Sequence, residues 1–227
     1  MSAAKDFVRY ALAREAIKII PGGMKLVSGR ISPYYFNSGP FDKGASIREL
    51  AKACAAIAQD MQTDVLFGPP MKGIPLAVAT AYELYERHDI NVGYAFNRPK
   101  AKDHGDQGLI LGHPLKGKRV CIIDNVITTG GTLDETAQLV HNEGGILAGV
   151  IIAFDRQERV TDGAKSASAT QDFEARHGVP VRAAATCDDL IAVLGDIAEG
   201  FGPNEEKEWG RNALALVLEY KKKYGAV

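Results

Sequence analysis

The stretch Val120–Thr132 reads VCIIDNVITTGGT. Val120–Ile123 is apolar with no polar alternation, which predicts a strand buried on both faces of a parallel sheet. Asp124 and Asn125 close that strand, Val126 and Ile127 follow, and Thr128-Thr129-Gly130-Gly131-Thr132 forms the turn. Leu133–Glu143 then has helical spacing and stops at Gly144-Gly145. A strand, a glycine-rich turn and a helix N-terminus together make an anion site, because backbone N–H groups and the helix dipole converge there. With Asp124 and Asn125 at its mouth to hold hydroxyls, the turn suits a phosphorylated sugar better than a bare phosphate. The plainer alternative is a tight connection whose threonines merely cap the helix. Neither G-x-x-x-x-G-K-[ST] nor a strand running into G-x-G-x-x-G occurs in the chain.

Working outward, Phe7, Ala11, Leu12 and Ala16 recur at helical spacing, and Pro21-Gly22-Gly23 is expected to end that first amphipathic helix. Short strands are expected at Met24–Val27 and Tyr34–Asn37. A helix over Ala45–Asp60, a strand at Asp64–Phe67, a helix over Gly73–His88 and a strand at Asn91–Asn97 come next. Beyond the central pair come a strand at Ile146–Phe154, a helix over Ser168–His177, a strand at Val181–Thr186 and a short helix from Asp188. Glu205–Tyr224 is expected to be a closing helix. This alternation implies an α/β fold with a mostly parallel central sheet flanked by helices. The expected division is one domain over 1–227: an N-terminal helix and hood strands in 1–44, the α/β core in 45–195 and the C-terminal helix in 196–227. Ligands of such sheets bind at the carboxyl ends of strands. Gly68–Gly73, Arg98–Gly108 and Asp124–Thr132 all follow strands, so one site is expected where they meet.

Composition narrows the class. Hydrophobic residues make up 46% of the 227 and charged residues 24%, as in ordinary globular proteins. A net charge of −1 without a basic tract disfavours a nucleic-acid partner. No apolar run approaches the ~18 residues of a membrane span. Lys5, Asp6, Arg9, Arg14, Glu15 and Lys18 interrupt the first twenty residues too often for a signal peptide. Cys54, Cys121 and Cys187 are few, scattered and odd in number, which suits a reducing compartment. A cytoplasmic protein is expected, and no His/Cys/Asp spacing suggests zinc.

Two more loops carry charge. Gly68-Pro69-Pro70-Met71-Lys72-Gly73 is a rigid turn with one point charge, although many such loops only punctuate. Arg98–Gly108 holds Arg98, Lys100, Lys102 and His104 in a long polar run, of a length that is often a lid and otherwise a solvated loop. Tyr35 and Phe36 point to opposite faces of a strand, and either could be core. Arg156 suits a carboxylate in bidentate fashion, and its dull partner would be Asp155 or Glu158.

The sequence of the central turn resembles the phosphoribosyl-pyrophosphate (PRPP) motif of type I phosphoribosyltransferases. Ser28-Gly29-Arg30, Ser32–Asn37 (SPYYFN), Phe67–Ala77 (FGPPMKGIPLA), Phe96–Gly108 (FNRPKAKDHGDQG) and Asp155–Glu158 (DRQE) resemble the orotate phosphoribosyltransferases in particular. The resemblance implies that orotate and PRPP become orotidine 5′-monophosphate and pyrophosphate, in pyrimidine biosynthesis. It implies that Lys25, Met71, Lys72, Arg98, Pro99, Lys100, Lys102, His104 and the run Asp124, Asn125, Val126, Ile127, Thr128, Thr129, Gly130, Gly131 and Thr132 meet PRPP. Tyr35, Phe36, Thr128 and Arg156 would meet orotate. Lys102, His104 and Asp124 would be catalytic, with either of the first two protonating pyrophosphate. Mg²⁺ would be held mainly through PRPP, and a homodimer would share the Arg98–Gly108 loop across its interface.

The chain departs from the family at four places. Pro70-Met71 stands where relatives show Ala-Tyr, and Asn125 stands where they show a second acid. Pro99 takes a basic position, with Lys100 one residue later. Val27 stands where relatives carry Lys before Ser-Gly-Arg, and Lys25 lies two residues earlier on the same strand face. Two rival readings share the motif: a purine-type enzyme of this fold, and a PRPP-binding regulator without catalysis.

Overall fold

The computed structural model describes residues 2–102, 108–127, 130–161 and 166–226; the side chains of 99–102 and 108 are outside the description. The elements run α1 (Ala3–Ala13), β1 (Ile17–Lys25), β2 (Ile31–Phe36), α2 (Gly44–Ala58), β3 (Val65–Phe67), α3 (Gly73–His88), β4 (Gly93–Lys102) and β5 (Gly108–Gly112). They continue β6 (Arg119–Val126), α4 (Gly131–Asn142), β7 (Ile146–Asp155), α5 (Ala169–His177), β8 (Val181–Thr186), α6 (Cys187–Glu199) and α7 (Asn204–Tyr224). Six strands form one sheet in the order β5-β4-β3-β6-β7-β8, and only the β4–β5 pair is antiparallel. β6 sits between β3 and β7. Val120, Cys121, Ile122 and Ile123 are fully buried there, as a continuous apolar run requires.

One apolar cluster lies against α1, α2, α3, α6 and α7, and another lies under α4 and α5. Helices therefore cover both faces of the sheet. β1 and β2 pair antiparallel as a separate two-stranded hood. α7 lies against the hood through Tyr220, whose ring meets that of Tyr34 edge-on at 6.0 Å. Ala213, Val217 and Tyr220 form the helix's buried stripe.

Four expectations need correction. The first helix stops at Ala13, and Glu15 takes a left-handed backbone (φ 55°) that turns the chain into β1. Pro21-Gly22-Gly23 lies inside β1, where the pairing register breaks between Ile19 and Met24. The hood has two strands only, so a proline that cannot donate to a ladder is tolerated there. The strand expected at Met24–Val27 is thus the end of a longer one, and Val27 lies beyond it, almost wholly exposed. The third correction concerns Arg98–Gly108. β4 runs on to Lys102 and pairs there with Gly108 of β5, so both described ends of the segment are strand; residues 103–107 lie outside the described residues. Last, the helix from Asp188 is not short: α6 spans 13 residues and is capped by Thr186, whose hydroxyl accepts from the Asp189 N–H.

Candidate active site

β3 and β6 are adjacent and parallel, so the turns that leave them emerge side by side. The β3 turn is pinned at both ends by glycine. A Cβ on Gly68 would lie 2.2 Å from the Gly73 carbonyl oxygen, and one on Gly73 would lie 2.7 Å from the Ile123 carbonyl oxygen. Only glycine lets the turn close this tightly against β6. Between them the Pro70–Met71 bond is cis and Met71 is exposed. Lys72 reaches across the rim and donates from Nζ to Asn37 Oδ1 at 2.6 Å.

Asp124 stands at the end of β6. Its Oδ1 accepts from the Asn125 N–H at 2.7 Å, and Asn125 Oδ1 accepts from the Val126 N–H at 2.9 Å. Burial pushes the Asp124 carboxyl up to about 6, opposed by the Asn125 N–H and by the charge of Lys72. Gly130 then adopts a left-handed backbone (φ 85°) as the N-cap of α4, and Gly131 and Thr132 open the helix. The Thr132 carbonyl accepts from the Thr136 hydroxyl at 2.7 Å. Arg176 of α5 lies beside Gly130, ion-paired to Asp134 and Asp172.

Behind this rim the hood closes a cavity of about 230 Å³. Val126 and Ile127 join the end of β6 to its wall, and Tyr35, Phe36 and Lys25 come from the hood. At the end of β2, Tyr34 and Phe36 are buried while Tyr35 between them is half-buried. Phe36 stacks on Phe154 with ring centroids 5.6 Å apart, so it belongs to the core as well as to the cavity wall. Four cations, Lys25, Arg30, Arg156 and Arg159, line the cavity against two carboxylates, Asp155 and Glu158. A mostly apolar slot with an excess of positive charge suits a flat anion.

Arg156 is 8% exposed. Its Nε donates to Glu158 Oε1 at 2.7 Å, Nη2 to Ser32 Oγ at 2.7 Å and Nη1 to the Tyr34 carbonyl at 3.1 Å. Its carboxylate partner within the chain is therefore Glu158, two residues on. The sequence offers Asp155 or Glu158 as that partner, and the structure selects Glu158; what the sequence does not offer is its second partner, Arg30, 128 residues away.

Of the residues expected to meet PRPP, Lys72, Asp124, Asn125, Val126, Ile127, Gly130, Gly131 and Thr132 gather at the ends of β3 and β6, with Met71 on the same turn. Lys25 lies at the end of β1, on the cavity side. Arg98, Pro99, Lys100 and Lys102 lie on β4, one strand further out. His104, Thr128 and Thr129 lie outside the described residues.

A model of the phosphoribosyl transferase domain matches residues 41–183. The orotate phosphoribosyltransferase of Nitrosococcus oceani is 43% identical over 222 residues, covering 97% of this chain and 94% of its own. That of Aeromonas salmonicida is 41% identical over 227 residues and 97% of each chain. The crystal structure of orotate phosphoribosyltransferase from Francisella tularensis aligns with a TM-score of 0.79 at 31% identity, over 97% of this chain and all of that one. With its charged turns side by side on a mostly parallel sheet and with relatives alike along almost its whole length, the chain belongs to the orotate phosphoribosyltransferase family.

Proposed function

We propose that the chain transfers the phosphoribosyl group of PRPP to orotate, releasing pyrophosphate and forming orotidine 5′-monophosphate for pyrimidine biosynthesis. The observation that carries this reading is the meeting of a rim and a cavity of opposite character. The turns after β3 and β6 offer backbone N–H groups, Lys72 and the α4 N-terminus to phosphates. The adjoining hood cavity offers an apolar slot with cationic walls to a planar, anionic base. Val126 and Ile127 belong to both, so sugar and base would meet at the end of β6.

Positive charge develops on the ribose as its bond to pyrophosphate stretches. Asp124, at the mouth of the turn, is placed to stabilise it, and Lys72 to neutralise the leaving group. Asn125 holds a hydroxyl but adds no charge. Lys102 or His104 would deliver a proton to pyrophosphate. Mg²⁺ is a hard ion that favours oxygen, and among the described residues of the two turns Asp124 is the one carboxylate, beside the Asn125 amide oxygen. That donor set suits an ion carried in on the phosphates of PRPP, where it would neutralise the departing pyrophosphate.

A homodimer sharing the β4–β5 arm is part of the proposal. Val78, Tyr82 and Tyr85 form an exposed stripe on α3, and Tyr94 is exposed on the neighbouring β4. An unpaired aromatic face beside the arm supports a second copy as its occupant. Among the described residues no helix is long and apolar enough to cross a membrane. The three buried, unpaired cysteines support a cytoplasmic location.

The test is loss of orotate absorbance upon adding PRPP and Mg²⁺. Turnover of orotate but not hypoxanthine or adenine is expected. Turnover of a purine alone would overturn the reading, and PRPP binding without pyrophosphate release would make the chain a sensor. Mixing Lys102→Ala chains with Asp124→Asn chains should restore activity if the arm serves the partner's site.

A further inference from the structure

Glu158 is a carboxylate clamped between two arginines from distant parts of the chain. Its Oε1 meets Arg156 Nε at 2.7 Å and Nη2 at 2.6 Å, and its Oε2 meets Arg30 Nη1 at 3.2 Å. All three side chains are largely buried, with exposures of 14% for Glu158, 8% for Arg156 and 10% for Arg30. Arg30 belongs to the turn between β1 and β2, and Arg156 follows β7. The bridge therefore ties the hood to the sheet.

The surroundings complete the clamp. The Arg156 guanidinium lies over the Tyr34 ring at 4.3 Å and faces the Tyr220 ring at 6.0 Å, while Arg30 lies over Tyr224 at 4.9 Å. Glu158 itself pairs through its backbone with Gly225, just past α7. Two positive charges against one negative leave the trio with a net charge of +1, which can complement one carboxylate.

We propose that Glu158 is a positioning residue for base recognition: by bridging Arg30 to Arg156 it fixes the guanidinium at the cavity wall, so that a planar base bearing a carboxylate binds tightly only while the hood is docked. The inference rests on the orotate reading above and adds to it the residue that holds Arg156 in place. Electrostatics alone predicts the opposite sign. Deleting a negative charge from an anion site raises its potential, so a Glu158 that only tempered that potential would, on removal, tighten the base.

The experiment measures KM for orotate and for PRPP, kcat and melting temperature on the intact chain and on Glu158→Gln. Positioning predicts an orotate KM raised by about tenfold, the loss of one charged hydrogen bond, with a much smaller change in the PRPP KM. Arg30→Ala, which spares the Glu158–Arg156 pair, should raise the orotate KM by about threefold, and the double variant should be no worse than Glu158→Gln alone. It is also the second route should Glu158→Gln fold poorly. An orotate KM that is unchanged or lower, or two KM values that rise together as the melting temperature falls, would overturn the inference. If the intact chain turns over no orotate, the functional reading has failed instead, and that outcome is seen before any variant is made.

Discussion

Around Arg156 each guanidinium nitrogen meets a protein oxygen, two aromatic rings flank the group, and a second arginine anchors its carboxylate. A short way along the same rim, Lys72 holds one side-chain amide, Asp124 holds one backbone N–H, and Gly68, Gly73 and Gly130 shape the backbone around them. The cavity proposed for the base is organised by side chains before any ligand arrives. The rim proposed for the phosphates is organised by strand ends and would rely on a ligand that brings its own charge. A site that must release pyrophosphate gains from the second design, and one that must choose among flat bases gains from the first.

The sharpest way to break this contrast is to attack the backbone of the rim. Gly68→Ala would put a methyl group 2.2 Å from the Gly73 carbonyl, with no flexible side chain to yield. We expect activity to be lost and stability to fall by about 3 kcal/mol, at the top of the overpacking range, as read by denaturant melts. Asp124→Asn tests the charge alone. It should lower kcat by about a hundredfold, the scale of one preorganised electrostatic contact, while leaving the orotate KM nearly unchanged.

The same substitution should stabilise the fold. Burial raises the Asp124 carboxyl from 3.8 to about 6, so the folded chain binds this proton more tightly than the unfolded chain does. Its ionised form is thus a standing cost at neutral pH, and the asparagine removes that cost. For the native chain, acidification through about 6 should favour folding at this residue while quenching catalysis, which needs the carboxylate. A kcat profile with no acid limb near 6 would mean that Asp124 is not the charge that matters. Smaller effects separate the remaining cations. Lys72→Ala should raise the PRPP KM by about tenfold, one unscreened ion pair's worth. Arg176→Ala should move it by less than about threefold, because Asp134 and Asp172 already balance that exposed guanidinium.

Legibility in the sequence followed the same divide. The rim could be read because it is local: Val120–Ile123, the TTGGT turn and Leu133–Glu143 are contiguous, and they became β6, the Gly130 cap and α4. The hood was harder. Pro21-Gly22-Gly23 is a helix terminator by composition, yet it sits within β1, where the two-stranded hood leaves the missing N–H without consequence. Met24–Val27 was right in type and wrong in extent for that reason. The polar run after Arg98 hid the continuation of β4 to Lys102, because that strand is continued by pairing with β5 at Gly108 and not by apolar alternation. Glu158 could be named as a partner of Arg156 because it lies two residues away, but its bridge to Arg30 could not, since a distant salt bridge leaves no periodic trace in the chain.

The pinned glycines at Gly68 and Gly73 have one more consequence. They hold the β3 turn against the carbonyl of Ile123, so the position of the turn is set by the neighbouring strand rather than by the residues at its tip. An exchange at the exposed Met71 should therefore alter what the turn presents and leave unchanged where it sits.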